Sequence, residues 1–337
     1  MSDLCKSDKA LLNVKNLKVY FSTPTGLAYA VDDISFFIHP GESMALVGES
    51  GCGKSVTAMS ILRLLTSPPV ERIEGEVIFH GQDLLKLPEE ELMKIRGRYI
   101  SMVFQEPTSS MNPVFRVGEQ IADVLKYHYG MGREESYMRI EKLFEWVGIP
   151  EPKMRIHQYP HEFSGGLIQR SMIAMALACE PELLIADEPT TALDVTIQAE
   201  ILALLRRVQQ ERKMSLLLIS HDLSVVAQIA RWIVVLYAGK KVEEGSATTI
   251  YSKPSHPYTQ ALFDSLPIRS RGKKRLNTIP GTVPSATDLP TGCRFHPRCP
   301  KAMKICQQKE PPWTWLNKEQ GTACWLFAQS EKMEKET

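Results

Sequence analysis

Residues 48–55 read Gly-Glu-Ser-Gly-Cys-Gly-Lys-Ser, which is a complete phosphate-binding loop. An apolar run at 44–47 precedes this loop, and a helix-like stretch from Val56 to Leu65 follows it. The motif needs this strand–loop–helix context, because the loop and the positive end of the helix must face the same anion. The sequence therefore predicts that the chain binds a nucleoside triphosphate.

Each residue of this loop has a predicted part in holding the phosphates. Gly48, Gly51 and Gly53 let the backbone turn tightly and bring its N–H groups against phosphate oxygens. Lys54 adds a catalytic positive charge at the β- and γ-phosphates, and the hydroxyl of Ser55 is a predicted ligand of Mg²⁺. The other predicted nucleotide contacts are Glu49, Ser50, Cys52 and Val56. The side chain of Cys52 is interpreted as a small filler.

A second motif, at 183–188, is an apolar run that ends in the carboxylates Asp187 and Glu188. Such a run is typical of a buried parallel strand that delivers its last residues to one edge of a sheet. Asp187 is predicted to hold Mg²⁺ through water, and Glu188 to accept a proton from the attacking water. A solvated acidic turn is the alternative for this segment taken alone, and the phosphate-binding loop upstream argues against it.

The composition is that of an ordinary globular protein and excludes several classes of partner. The chain has 337 residues, enough for one large domain and a smaller one, and its net charge of +1 gives no electrostatic case for nucleic acid. No apolar stretch approaches the length of a membrane span, about 20 residues. The first residues lack the basic, apolar and cleavage regions of a signal peptide. We therefore expect a cytosolic protein whose membrane contact comes through partners.

The order of the predicted elements indicates an α/β fold. Residues 11–47 alternate like strands, with a hairpin turn at 23–26, and apolar residues between about 115 and 180 follow a helical spacing. Strands and helices alternate from residue 183 onward. This pattern predicts a P-loop NTPase core with a parallel sheet and an inserted helical subdomain at about 113–180.

The composition changes after about residue 252. Prolines multiply there, and a basic run appears at 269–275, which is interpreted as a solvated linker; contact with anionic lipid headgroups is the alternative. We therefore expect two domains, a nucleotide-binding domain at 1–253 and a small Cys-rich C-terminal domain at 254–337.

Four cysteines of this tail, Cys293, Cys299, Cys306 and Cys324, have the spacing Cys-x5-Cys-x6-Cys-x17-Cys. Four thiolates in a proline-rich segment with little core suit a metal that organises the fold. The spacing is not Cys-x2-Cys, which disfavours a zinc ribbon. Four cysteines can hold a [4Fe–4S] cluster, for which a structural role is expected. Zinc is the second choice, and four unlinked thiols are the remaining alternative.

Further features fall around the two nucleotide motifs, in a fixed order along the chain. They are Gln105 after an apolar run, Phe163-Ser164-Gly165-Gly166-Leu167-Ile168-Gln169-Arg170, Ala192-Leu193-Asp194, and Ser220-His221-Asp222-Leu223. Together with the two motifs, they resemble the ATP-binding subunits of ABC transporters over roughly residues 11–250. The resemblance implies a core of the ABC type that hydrolyses ATP.

The resemblance also implies residue roles within one chain. Phe21, with Tyr20 as the alternative, would stack on adenine. Gln105 would touch Mg²⁺ or the attacking water and couple the site to the transmembrane subunits. His221 would contact the γ-phosphate and orient the water.

Other implied roles need two chains. Ser164, Gly165 and Gly166 would close over the γ-phosphate of ATP held by the opposite subunit, and Asp194 would lie at the dimer seam. Such a site is incomplete in one chain, so this chain would meet a second one head to tail. The second chain would be either a different ATPase subunit or another copy of this one. Leu167 departs from the glutamine usual at its position, and it cannot form a side-chain hydrogen bond there.

Two tail segments, at 255–262 and 292–300, resemble a narrower group, the ATPases of oligopeptide and dipeptide importers. This resemblance implies two transmembrane permease subunits as partners, an extracytoplasmic substrate-binding protein as an indirect partner, and a place at the cytoplasmic face of the inner membrane. It also points to the [4Fe–4S] cluster, which is therefore the predicted occupant of the four cysteines. The group includes importers of nickel and other small solutes, which is the first alternative. A soluble ABC ATPase acting on nucleic acid or ribosomes is the second.

Overall fold

The computed structural model describes residues 9–106, 110–191, 193–265 and 279–328. The chain divides into two compact units. The first unit contains residues 1–38, 44–85 and 219–337, and the second contains residues 39–43 and 86–218.

The strands and helices are numbered separately in chain order. The strands are β1 (Leu12–Thr23), β2 (Gly26–Ile38), β3 (Ser43–Val47), β4 (Val70–Phe79), β5 (Gln82–Asp83), β6 (Ile100–Val103), β7 (Leu183–Asp187), β8 (Ser215–Ser220), β9 (Trp232–Tyr237), β10 (Lys240–Ser246), β11 (Thr314–Asn317) and β12 (Gln320–Thr322). The helices are α1 (Lys54–Ile61), α2 (Glu89–Ile95), α3 (Val117–Tyr129), α4 (Arg133–Val147), α5 (Pro152–Arg155), α6 (Gly165–Leu177), α7 (Val195–Arg212), α8 (Leu223–Ile229), α9 (Ala247–Ser252), α10 (Pro257–Asp264), α11 (Lys304–Gln308) and α12 (Trp325–Ala328).

The first unit contains an antiparallel sheet with the strand order β2-β1-β4-β5. The turn between β1 and β2 joins Thr23 to Gly26, so the predicted hairpin turn is confirmed. Gly75 lies inside β4 with a φ of +105°, and a Cβ there would stand 2.6 Å from the carbonyl oxygens of Lys15 and Asn16. The backbones of β4 and β1 therefore approach more closely at this point than any residue but glycine allows.

The first unit also contains the strands β11-β12-β10-β9-β3, in that order. β3 runs parallel to β9, and all five of its residues are buried. A strand buried on both faces is expected to be continuously apolar, as the run at 44–47 is. β3 therefore delivers the phosphate-binding loop from the interior of this unit.

The tail of the chain continues the same sheet. β12 pairs antiparallel with β10, through Glu243 opposite Thr322 and Gly245 opposite Gln320. The chain after 254 therefore adds strands to the sheet that carries the phosphate-binding loop, while the domain boundary at 253 stays a prediction. The basic run at 269–275 lies outside the described residues.

The second unit contains the strands β8-β7-β6 in that order, with β6 parallel to β7, and the helices α2 to α7. α3 and α4 bury one face each, as the apolar spacing predicted. The buried residues include Val117, Ile121 and Leu125 of α3 and Ile140, Phe144 and Val147 of α4. α4 ends at Gly148, which adopts the left-handed conformation that favours glycine.

Among the described residues, none of the helices combines the length and the apolar character that crossing a membrane would require.

Candidate functional site

The phosphate-binding loop joins β3 to α1, and two of its glycines are required by close backbone contacts. A Cβ at Gly48 would stand 2.3 Å from the carbonyl oxygen of Leu236, and one at Gly53 would stand 2.5 Å from that of Ala30. Both distances are too short for any side chain. Gly51 is different, because a Cβ there would meet nothing within 4 Å and only its φ of +78° favours glycine.

The Lys54 side chain lies within the loop. Its Nζ donates hydrogen bonds to the carbonyl oxygens of Gly48 at 2.9 Å and Glu49 at 3.0 Å, and the residue is 5% exposed. A buried ammonium group held against loop carbonyls keeps the loop closed around a single positive charge. Ser55 follows in the first turn of α1 and is half-buried.

Cys52 is fully buried inside the loop. Burial raises the pKa of its thiol, although the nearby Lys54 ammonium opposes that rise. The thiol is therefore protonated at neutral pH, and its position agrees with the interpretation of Cys52 as a filler.

Glu49, the second residue of the loop, is held by two residues that the sequence did not predict for the site. The Glu49 backbone N–H donates to the Tyr258 hydroxyl oxygen at 2.9 Å, and the Glu49 carboxylate accepts two hydrogen bonds from the Arg298 guanidinium. These contacts span 209 and 249 residues of sequence. No local pattern points to either one.

Outside the phosphate-binding loop, the residues of the first unit that are predicted to contact the nucleotide are Phe21 and His221. Phe21 is half-buried on β1, where it pairs with Ala28 of β2 and Val70 of β4. His221 is exposed and comes just before α8, whose first turn is capped by the carboxylate of Asp222.

In the second unit, the structure brings Gln105 and Glu188 together. Gln105 Nε2 donates to Glu188 Oε2 at 3.0 Å, and Thr191 Oγ1 donates to the same oxygen at 3.0 Å. Glu188 has a φ of +46°, which is strained for a residue with a side chain and is common at functional sites. Asp187 ends β7 and is 4% exposed. The carboxylate of Glu188 is therefore oriented by two donors and by its backbone.

The predicted dimer-seam residues also lie close together in the second unit. Ser164 caps α6 by accepting a hydrogen bond from the Leu167 N–H, and Asp194 caps α7 through two backbone N–H groups. A Cβ at Gly165 would lie 3.9 Å from the Leu193 side chain, so the two caps are neighbours. Ser164, Gly165 and Asp194 are exposed. The exposed caps form one patch that a second molecule can reach.

The four tail cysteines line one small pocket of the first unit. Burial raises the pKa of the thiols of Cys293 and Cys324 to about 11, and it also raises that of Cys299. The four cysteines therefore lie around one pocket of the fold.

Within the described parts of the chain, no group of three or more His, Cys, Asp or Glu side chains is arranged to hold a metal ion. The predicted [4Fe–4S] cluster and its zinc alternative are therefore both unsupported by the arrangement of these side chains.

Two family models match the chain. One, described as ABC transporter, matches residues 31–191, and the other, described as oligopeptide/dipeptide transporter, C-terminal region, matches residues 242–306.

Curated proteins match over most of their length. The oligopeptide transport ATP-binding protein OppD of Haemophilus influenzae is 47% identical, covering 95% of this chain and 98% of that protein. The protein of the same name from Escherichia coli is 48% identical, covering 90% and 89%. A probable peptide ABC transporter ATP-binding protein of Sinorhizobium fredii is 46% identical, covering 94% of each.

Among solved structures, a dimeric ATP-binding cassette, MJ0796, bound to ADP and phosphate after hydrolysis, is similar with a TM-score of 0.63 and 28% identity. The match covers 70% of this chain and 98% of that one. The fold is therefore that of an ABC ATPase cassette.

Proposed function

This chain belongs to the ATP-binding proteins of ABC transporters, in the oligopeptide/dipeptide family, and from that membership we propose that it is the ATP-hydrolysing motor of a membrane importer for di- or oligopeptides. The observation that carries the proposal is the near full-length similarity to proteins named oligopeptide transport ATP-binding proteins. That similarity spans the nucleotide motifs and the tail together, so it supports the substrate class as well as the chemistry.

In the first unit, the phosphate-binding loop is the proposed ATP site. Lys54 would exchange its carbonyl partners for phosphate oxygens, and residues 48–56 would surround the phosphates with backbone N–H groups. Phe21 is the proposed partner of adenine, and His221 the proposed contact of the γ-phosphate. The half-buried position of Phe21 and the exposed position of His221 support these roles.

Glu188 is the proposed proton acceptor for the attacking water. Its carboxylate is already oriented by Gln105 and Thr191, so it needs little rearrangement to act as a base. Ser55, Gln105 and Asp187, the last through water, are the proposed holders of Mg²⁺, since their oxygens are the hard ligands that this ion prefers. Bound Mg²⁺ supplies neutralisation of the charge that develops on the phosphates.

The exposed patch of Ser164, Gly165, Gly166 and Asp194 is the proposed contact with the ATP of a second ATPase subunit. A hydroxyl, glycine N–H groups and the first turn of α6 would form an anion site for a phosphate held by the partner. ATP-driven closure of this head-to-tail dimer, and its reopening after hydrolysis, would move two permease subunits at the cytoplasmic face of the inner membrane. A different ATPase chain is the proposed partner, with a second copy as the alternative, and nucleic acid is not a partner.

Uptake by cells tests the proposal. Cells carrying the Glu188→Gln chain in place of the native one should lose uptake of labelled tripeptides and keep uptake of nickel. Glu182→Gln is a matched control, because it makes the same change at an exposed position next to the other end of β7. Loss of nickel uptake with normal peptide uptake would favour the small-solute alternative, and co-sedimentation with ribosomes instead of membranes would favour the soluble ATPase.

The proposal includes a [4Fe–4S] cluster held by Cys293, Cys299, Cys306 and Cys324, with a structural role. The convergence of the four thiols on one pocket supports it. A four-iron cluster binds each thiolate at a different iron, so its ligands stand farther apart than those of a single ion. A boundary at 253, with a Cys-rich domain at 254–337, belongs to the same proposal.

Metal analysis of the anaerobically purified chain tests this part. About four iron atoms and four acid-labile sulfides per chain are expected. Cys306→Ser should lose the metal, and Cys179→Ser, which changes a buried thiol of the second unit, should keep it. One zinc ion without sulfide, or no metal at all, would contradict the cluster and leave the ATPase motor unaffected.

A further inference from the structure

We propose that Arg298 and Tyr258 are positioning residues of the phosphate-binding loop, which hold Glu49 in place and so make ATP affinity depend on the segment that carries the cysteine pocket. This inference rests on the proposed function, because it takes the loop as the ATP site. It assigns the tail a part in nucleotide binding.

The first observation is the ion pair between Arg298 and Glu49. Arg298 donates from Nη1 to Glu49 Oε2 at 2.8 Å and from Nη2 to Oε1 at 3.0 Å, which is a bidentate arrangement. Arg298 is 8% exposed, and its Nε donates to the carbonyl oxygen of Pro280 at 2.8 Å. Bidentate, charge-assisted pairs of this kind are the strong and directional ones. The guanidinium therefore fixes the Glu49 side chain.

The second observation is independent of the first and concerns the Glu49 backbone. Its N–H donates to the hydroxyl oxygen of Tyr258 at 2.9 Å. The Tyr258 ring is fully buried and packs against Tyr237 and Phe295, with centroids 4.6 and 5.3 Å away. A ring so enclosed cannot move without repacking its neighbours. Glu49 is therefore held at both its side chain and its backbone.

Glu49 passes these constraints to the rest of the loop. Its carbonyl oxygen accepts hydrogen bonds from the Cys52 N–H at 3.3 Å and from Lys54 Nζ at 3.0 Å. A shift of Glu49 would therefore move the lysine and the turn that face the phosphates. Since a preorganised site binds more tightly than one that must be ordered, loosening Glu49 should weaken nucleotide binding.

Arg298, which holds Glu49, and Phe295, which packs on Tyr258, lie beside the cysteines. Phe295 and Arg298 fall between Cys293 and Cys299, around a single 3₁₀ turn at His296–Arg298. The Cys299 N–H donates to the carbonyl oxygen of His296 at 3.3 Å, which closes that turn. A rearrangement at the cysteine pocket therefore reaches Arg298 through one turn of backbone.

Nucleotide titration of the full chain tests this inference, with a fluorescent ATP analogue as the probe. Arg298→Met should raise Kd at least about tenfold, the equivalent of losing one charge-assisted hydrogen bond. Arg298→Lys should recover part of that loss. In ATP hydrolysis, KM should rise while kcat stays within about twofold of the native value, because the lost interaction supports binding alone.

Arg294→Met is the matched control. Arg294 lies in the same segment and is equally buried, but it pairs with Asp32 and the carbonyl oxygen of Ala238 instead of Glu49. The Kd of the Arg294→Met variant for the ATP analogue should stay near the native value. An unchanged Kd in Arg298→Met, or equal losses in both variants, would overturn the inference.

Tyr258→Phe keeps the test decisive if Arg298→Met fails to fold, because it removes only a hydroxyl from a buried ring. Its Kd should rise severalfold, and a native Kd in this variant would count against the inference. If the native chain itself binds no ATP analogue, the proposed function fails instead, so the two failures are distinguishable.

Discussion

Gln105 Nε2 donates a hydrogen bond of 3.0 Å to Glu188 Oε2, although 83 residues separate the two in sequence. Thr191 donates to the same carboxylate oxygen, and Glu188 itself has a positive φ. A carboxylate oriented in this way is suited to accept a proton in a fixed direction. The first two predictions follow from this arrangement.

Glu188→Gln should abolish most ATP hydrolysis and leave ATP binding intact. The amide keeps the size of the side chain but cannot take a proton, so turnover should fall by about 10²- to 10⁴-fold. The ATP-bound dimer should accumulate as a result. Phosphate release and size-exclusion chromatography with ATP measure the two effects, and near-normal turnover would remove Glu188 as the base.

Gln105→Ala should lower kcat by about tenfold, roughly one hydrogen bond to a charged group, with little change in KM. The carboxylate would lose one of its two donors and with it part of its orientation. Gln120→Ala is a suitable control, because that glutamine donates to the carbonyl oxygens of Asn112 and Phe115 and not to Glu188. Equal kcat values in the two variants would contradict a role of Gln105 in orienting the base.

Gly48→Ala should prevent nucleotide binding, whereas Gly51→Ala should weaken it only slightly. The new Cβ at position 48 would overlap the Leu236 carbonyl oxygen and the Cys52 sulfur, at 2.3 and 2.7 Å. The Cβ at position 51 meets open space, so its cost is the left-handed backbone, about 1–2 kcal/mol. Calorimetric titration with ATP compares the pair, and equal affinities would show that the loop does not bind nucleotide in this conformation.

Cys52 should resist alkylation at neutral pH even without nucleotide. Its thiol is fully buried, and burial raises its pKa above the ordinary value of 9.0, so little thiolate exists below that pH. Labelling by iodoacetamide should become appreciable only above pH 9, and ATP should slow it further. Mass spectrometry of the loop peptide gives the rate, with a urea-unfolded sample as the fully labelled reference. Rapid labelling of the native chain at pH 7 would contradict the buried position.

Much of the fold was predictable because its signals are local. The hairpin at 23–26, the apolar strand before the phosphate-binding loop and the buried faces of α3 and α4 each follow from spacing over a few residues. Gly75 is a signal that spacing alone does not interpret, because it lies inside β4 and marks a close approach of two backbones.

In the candidate site, too, some features follow from local sequence and others from the packing of distant segments. The sequence by itself determined which residue types are available for phosphate and for proton transfer, because the glycines and the lysine of the loop lie within 48–55 and the two carboxylates end one apolar run. Only the tertiary structure decided that Gln105 orients Glu188 and that Arg298 and Tyr258 hold Glu49. Those contacts join residues 83 to 249 positions apart, and a hydrogen bond over such a distance depends on how sheets and helices pack, which no local spacing records.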